Sequence, residues 1–359
     1  MKKATIILLA ILVSGPWAYS MNPETGLATE EPGEYYTPIE YTSIELTKVF
    51  RYDIEEVSGL ATLMAWAISP DDRYIGLYYV NALAKLYNDV LIKISDTGAE
   101  EVDLQMNGYS CDQFEGSVGF SGDSKQFYAL KACKKLIFWD TETGHHMVDL
   151  ESGDDKSPYV AVGSGILKYD PGKGRIQSNH GYLVSKKFHK YSDPGGGSII
   201  KLESDPSETA FSPDHRYMAI SGAFSKKAHL YNMETGEYLR ELASSKKGIK
   251  CMTFSADGQK LILSEGKVVS IVDAASGAID LSIPPGDYTW SLDVNRHNIL
   301  AYVTKEGTFL WDLDGGRALA TLESTEKFSY EVLFSHDGKR LYEIYSGGNI
   351  VCWEINYIP

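Results

Sequence analysis

The chain has 359 residues, is 43% hydrophobic and 12% aromatic, and carries a formal net charge of −15. That charge argues against nucleic acid and anionic membrane surfaces as main partners, because like charge opposes approach to both.

The first residues, MKKATIILLAILVSGPWAYS (1–20), place two lysines before an apolar run over 4–13 and end in Ala18-Tyr19-Ser20. This is the three-part layout of a secretory signal with small residues at the cleavage site. The apolar run is too short to span a bilayer, and no Cys lies near the cleavage site to take a lipid. The mature chain is expected to begin near Met21, exported to a periplasmic or extracellular location without membrane insertion. Residues 21–40 hold five Glu, three Pro and no Lys or Arg, the composition of an acidic disordered spacer.

From residue 41 to 359 the chain repeats itself. An apolar run meets Ser-Pro-Asp-Gly-like turn residues, then an apolar stretch, then an aromatic-acidic pair and a Thr-Gly turn. Examples are ISPDDRYIGLYY (68–79), FSGDSKQFYAL (120–130), FSPDHRYMAIS (211–221), FSADGQKLIL (254–263) and FSHDGKRLYEI (334–344). Aligning the turn Asp or Asn gives Asp71, Asp123, Asn179, Asp214, Asp257, Asn295 and Asp337, a period of about 44 residues, that of a four-stranded blade. Period-2 apolar alternation makes the elements strands, and Asp and Gly suit the turns between them. Small residues near the turn, Ala67, Gly119, Ala210, Thr253 and Ser291, fit an innermost strand crowded against a central axis. The predicted fold is an all-β, seven-bladed β-propeller of four-stranded antiparallel blades. Six blades are legible; the third copy, 166–202, carries an insertion that hides its inner strand. The segment SIELTKVFRY (43–52) is expected to close the last blade as its outer strand, removing exposed edges.

The residues FWD (138–140) and YVTKEGTFLWDLDGG (302–316) resemble the WD-repeat and YVTN-type seven-bladed propellers. The resemblance covers nearly all of the chain after residue 42 and implies the fold, whereas many unrelated functions share the scaffold. No Gly-His pair precedes an inner strand, and the turns KACKK, SEGK, TKEG and SGGN lack Asp. The likeness is therefore to the looser prokaryotic kind, without the buried His–Asp network.

In an exported chain, four Cys invite pairing. Cys111 and Cys133 fall in connections on one face of such a fold and are expected to form a disulfide. Cys251 and Cys352 fall on strands of separate blades and are expected to be buried and unpaired. The histidines His145, His146, His215, His297 and His336 fall in turns and read as solvated. No Gly-x-Ser-x-Gly or His-Glu-x-x-His motif is present, and no cofactor or metal is expected.

Two binding surfaces stand out. In the irregular copy, Lys168, Lys173, Arg175, Lys186, Lys187, Lys190 and Lys201 face only Asp170 and Asp193, a basic patch suited to an acidic partner or anionic glycan. At the entry ends of the inner strands, the spacing gathers Glu115, Glu208, Lys250, Tyr288, Tyr330 and Glu331, with Trp290 and its first-blade equivalent Trp66 packed between blades. Rings supply area and charges supply specificity at such a rim. The expected function is a monomeric, non-catalytic scaffold binding another protein of the cell envelope. The alternatives are a lactone or glycan hydrolase using Glu115, Glu208 and Glu331, or a binding module for small anions or glycans.

Overall fold

The computed structural model describes residues 36–54, 62–81, 86–105, 116–131, 135–151, 159–161, 167–170, 175–178, 183–185, 190–192, 199–201, 206–214, 216–222, 226–232, 235, 237–244, 248–284, 287–323, 329–345 and 348–359. Every regular element among them is a β-strand, and the strands form six long four-stranded antiparallel sheets together with a shorter one in third place. The first sheet is Thr62–Ile68, Tyr74–Asn81, Leu86–Ile94 and Ala99–Val102; the second is Gly116–Phe120, Gln126–Lys131, Lys135–Asp140 and His146–Glu151. The fourth is Pro206–Phe211, Tyr217–Gly222, Lys227–Asn232 and Tyr238–Ser244, and the fifth is Cys251–Phe254, Lys260–Ser264, Val269–Asp273 and Ile279–Ile283. The sixth is Ser291–Val294, Ile299–Thr304, Gly307–Asp312 and Arg317–Glu323. The seventh joins Ser329–Phe334, Arg340–Tyr345 and Asn349–Ile358 to the early strand Ser43–Asp53, with Ser43 opposite Ile358 and Asp53 opposite Asn349. The two ends of the fold thus pair as expected.

The third sheet is built from three-residue strands, Tyr159–Ala161, Leu183–Ser185, Lys190–Ser192 and Ile199–Lys201. Its first strand, which sequence reading could not place, lies against Gly116–Phe120. The insertion falls directly after it and contains the hairpin Leu167–Asp170/Arg175–Ser178.

Burial grades from the first strand of a sheet to the last. Cys251–Phe254 and Ser291–Val294 are buried at every residue, whereas Ile279–Ile283 and Arg317–Glu323 are mostly open. Continuous burial requires cover on both faces, and neighbouring sheets supply it. Tyr74, Tyr78 and Leu91 of the first sheet pack on Phe120, Phe127 and Trp139 of the second. Equivalent cores join the fourth to the fifth, the fifth to the sixth and the sixth to the seventh. Leu333, Tyr342 and Ile344 of the seventh pack on Trp66, Ile68 and Ile75 of the first. Each fully buried Leu, Ile or Phe in these layers contributes about 1.5–3 kcal/mol. At Gly76 the first two sheets meet so tightly that an added Cβ would run into the Phe127 ring.

The repeated Ser-x-Asp turn has a simple cause. Ser69 Oγ donates to Asp71 Oδ1 at 2.7 Å and accepts from the Tyr74 N–H at 2.9 Å, while Asp71 Oδ1 accepts from the Arg73 N–H. Ser121, Ser212, Ser255 and Ser335 repeat the Ser–Asp bond with Asp123, Asp214, Asp257 and Asp337. In the sixth sheet, Asn295 alone accepts from His297 N and Ile299 N, each at 3.0 Å. Asn295 therefore stands in the serine's place rather than the aspartate's, and the sixth inner strand is shifted against the sequence alignment by two residues. Ser291 matches Cys251, and Asp293 matches Thr253.

Among the described residues, three other than glycine take positive φ, all in turns: Asp72 (59°), Ser124 (58°) and Asn298 (55°). Each reaches to the turn of a neighbouring sheet, the second to the first, the sixth to the fifth and the first to the seventh. Ser124 Oγ accepts the Asp71 N–H, Asn298 Oδ1 accepts the Ala256 N–H, and Asp72 accepts the His336 N–H. A costly backbone conformation is thus repaid as a latch between sheets.

Two expectations need correction here. Part of the 21–40 segment is tied down: Thr37 donates its N–H to Arg296 O and accepts through its own carbonyl from His297 Nδ1, while Tyr36 donates to Asp314. His297 and His336 are not solvated, because His297 packs edge-on to Tyr357 at 5.2 Å and His336 is buried against Asp72. His145 is exposed, His146 bonds Asp149 at 2.6 Å, and His215 lies outside the described residues. Cys251 and Cys352 are buried and unpaired, whereas Cys111 and Cys133 lie outside the described residues.

Candidate functional site

The candidate site is built at the entry ends of the inner strands. Counting three residues back from Phe211, Phe254, Val294 and Phe334 gives Glu208, Cys251, Ser291 and Glu331, one layer drawn from four successive sheets. Register shifts fall immediately before Glu208 and Glu331, and another before Ala65 of the first sheet. Such bulges bend a strand and re-aim its side chains, here turning two carboxylates inward. Glu208 and Glu331 are 5% and 4% exposed.

The layer is electrostatically one unit. Glu331 accepts hydrogen bonds from Ser291 of the sixth sheet and Trp66 of the first. Burial nevertheless raises its carboxyl to about 8, with Asp293 adding to the rise. Glu208 is pushed well above the usual range by burial and by the charge of Glu331, with Lys250 pulling the other way. The Cys251 thiol is raised by burial and by both glutamates. One layer deeper, Asp293 accepts the N–H groups of Phe334 at 2.8 Å and Val294 at 2.9 Å, yet burial holds it near 7. Buried groups of the fourth, fifth, sixth and seventh sheets thus act on one another's charge, and Trp66 of the first sheet donates to Glu331.

Above the cluster lies a rim. Lys250 and Trp290 each stand one residue before the layer and are exposed, Trp290 by 51%. Tyr288 is 39% exposed, its ring 6.5 Å from that of Trp290 and 5.6 Å beneath Lys267 Nζ. The segment is anchored by Asp287, bound to Lys305 at 2.5 Å and Lys267 at 3.4 Å. The Lys305 ammonium and the Tyr288 N–H outweigh burial there and hold Asp287 at about 2, with Lys267 adding to the fall.

Of the residues expected from sequence, Trp66, Glu208, Lys250 and Glu331 come together, with Tyr288 and Trp290 beside them. Trp66 is buried as anticipated, but Trp290 is not core packing and is not its equivalent; the shorter Asn295 turn moves Trp290 up to the rim. Tyr330 lies in the strand Ser329–Phe334, and Glu115 lies outside the described residues. Of the basic patch, Arg175 lies in the inserted hairpin and Lys190 in the third sheet, while Lys173, Lys186 and Lys187 lie outside the described residues. Sequence reading missed Asp293, although an acid within the buried strand SLDV was its available signal. The WD-position residues Asp140 and Asp312 are structural, capping the turn N–H groups of Thr143 and Gly315.

No protein-family model matches this chain, and no curated protein matches it.

Proposed function

We propose that the sheets close into a seven-bladed propeller of the WD-repeat or YVTN-like kind. In this reading the protein is an exported, monomeric, non-catalytic scaffold that binds another protein of the cell envelope through the face bearing Lys250, Tyr288 and Trp290. The observation that carries it is the exposure of Trp290 and Tyr288 side by side on an anchored segment. Rigid exposed aromatics flanked by lysines have the make-up of interface anchors. Ring closure is supported by the cores and hydrogen bonds that join the seventh sheet to the first. The test is differential capture from the host envelope followed by binding of the purified pair. A partner held by the wild type and released by Tyr288→Ala/Trp290→Ala supports the reading; equal binding by both overturns it.

A second reading, the lactone or glycan hydrolase, draws on the raised carboxyls of Glu208 and Glu331. An acid and base pair needs its two members pushed apart, whereas these are pushed in the same direction, which favours the scaffold. Hydrolysis of aryl lactones or aryl glycosides that disappears in Glu331→Gln would reverse the order.

A further inference from the structure

Residues 36–45 read YTPIEYTSIE, the five-residue unit Tyr-Thr-x-Ile-Glu twice in tandem. The second unit runs into the strand Ser43–Asp53 and packs Tyr41 and Ile44 on the core that joins the sixth and seventh sheets. The first unit has no regular structure, and none of its five residues is buried. Two turns of the sixth sheet nevertheless hold it group by group. The Thr37 N–H donates to Arg296 O at 2.8 Å, and the Thr37 carbonyl accepts from His297 Nδ1 at 2.5 Å. Its hydroxyl oxygen accepts from Arg296 Nε at 3.1 Å and Nη2 at 2.8 Å. Tyr36 donates its hydroxyl to Asp314 Oδ2 at 2.8 Å. Main-chain bonds flanking side-chain contacts are how extended peptides are recognised, the backbone supplying affinity and the side chains the choice of sequence.

The receiving groups are braced by bonds in which the segment takes no part. Asp314 Oδ1 accepts from Asn298 Nδ2 at 2.9 Å, and Asn298 is itself latched to the fifth sheet through the Ala256 N–H. The His297 N–H donates to Asn295 Oδ1 at 3.0 Å. Its ring packs edge-on to Tyr357 and leaves no room for a Cβ at Gly338. Tyr357 in turn accepts from Asn295 Nδ2 at 3.0 Å and donates to Gly338 O at 2.6 Å. The acceptor of Asp314 and the donor of His297 are thus aimed in advance, which lowers the ordering cost of binding. Arg296 adds a forked, charged donor. The first unit, by contrast, is held at Tyr36 and Thr37 by polar bonds at the surface, and such stretches open at low cost. A detachable unit therefore lies beside a fixed one, on turns that keep their shape.

We propose that these two turns of the sixth sheet are a binding site for an extended Tyr-Thr segment of a partner protein, which displaces the chain's own Tyr36 and Thr37. Arg296 and His297 follow the inner strand Ser291–Val294, and Trp290 precedes it. The site therefore lies at the opposite end of that strand from the aromatic rim, and its test is independent of the rim's.

The probe is a fluorescein-labelled peptide with the sequence of residues 36–42, YTPIEYT, titrated into the full chain and followed by fluorescence anisotropy. A tethered segment competes at an effective concentration on the order of mM, so the wild type should bind the probe weakly. The full chain carrying Tyr36→Ala/Thr37→Gly has the site open and should bind it saturably, about tenfold or more tighter. Adding Arg296→Ala, or replacing the probe's first threonine by valine, should each weaken that binding about tenfold, because each removes the guanidinium–hydroxyl contact. Absence of saturable binding to the opened chain overturns the proposal, as does binding that both changes leave undiminished. Tyr36→Phe/Thr37→Val keeps the volumes while removing both hydroxyls, and it serves where the first variant does not fold. Loss of folding in both variants also overturns the proposal, since the segment would then be part of the fold rather than an exchangeable ligand. Dimerisation of the wild type that Arg296→Ala abolishes would assign the site to a second copy's segment and overturn the external partner.

Discussion

Asp72 of the first sheet's turn holds the turn of the seventh. Its carboxylate accepts the His336 N–H and the His336 Nδ1–H, each at 2.7 Å, and the Asp337 N–H at 3.0 Å. Burial opposes the charge, but the imidazole and the two N–H groups outweigh it and hold Asp72 below the usual carboxylate range. The residue sits at φ 59°, a conformation an L-residue adopts at a cost.

Asp72→Ala would strip three donors of their acceptor, two of them on buried His336. A loss of about 1–3 kcal/mol is expected at pH 7 in urea unfolding. A carboxyl depressed in the folded state contributes stability that is present above its unfolded value, about 3.9, and is lost as pH falls through the lower folded value. The gap between wild type and variant should therefore narrow below pH 4. A gap that stays constant from pH 7 to pH 3 would contradict the latch.

Glu331 has the opposite sign. A carboxyl raised to about 8 in the fold leaves the folded state holding more protons than the unfolded state between about 4.5 and 8, so stability falls as pH rises through that window. Glu331→Gln should be close to neutral at pH 5 and stabilising by about 1–4 kcal/mol at pH 8.5. Thermal melts of both proteins at the two pH values decide it; a variant equally affected at both would show that the charge is compensated.

Gly76 has no room for a side chain beside the Phe127 ring. Gly76→Ala should cost about 1–3 kcal/mol through overpacking. Part of that loss should return in the double variant Gly76→Ala/Phe127→Leu, where the ring is removed. Additive losses in the double variant would locate the strain elsewhere.

Deleting residues 43–53 would bare the Asn349–Ile358 edge and uncover Ile355 and Cys352, both buried beneath it. The truncated chain should lose cooperative unfolding and associate through the open edge, visible by chromatography and denaturant titration. A folded monomer with an unchanged midpoint would mean that the strand is ornamental.

Strand order was legible because the Ser-x-Asp turns are local devices: Ser69, Asp71 and the Tyr74 N–H lie within six residues and close on themselves. The pairing of 43–53 with 349–358 was legible because SIELTKVFRY reads as a strand that precedes the first repeat and has no other place in the four-strand period. What escaped depended on distance in three dimensions. Asn295 does the work of a Ser and an Asp together, and nothing in its letter code reveals the resulting two-residue shift, which misplaced Trp290. His297 and His336 read as turn residues, but Thr37 and Asp72, more than 250 positions away, bind them. Asp293 was overlooked because its neighbours Leu292 and Val294 define an ordinary inner strand, and only Phe334 across the sheet boundary shows what the acid holds.

The pairing of Ser43–Asp53 with Asn349–Ile358 also sets a timetable. On a ribosome the earlier strand emerges some three hundred residues before its mate, so every intermediate sheet can form while the last position is still vacant. A chain without Asn349–Ile358 therefore leaves Ser43–Asp53 without its partner, and that ten-residue strand decides when the seventh sheet is completed. Joining the two ends by a short linker and opening the chain at an exposed turn elsewhere would move that decision to another sheet without altering the fold.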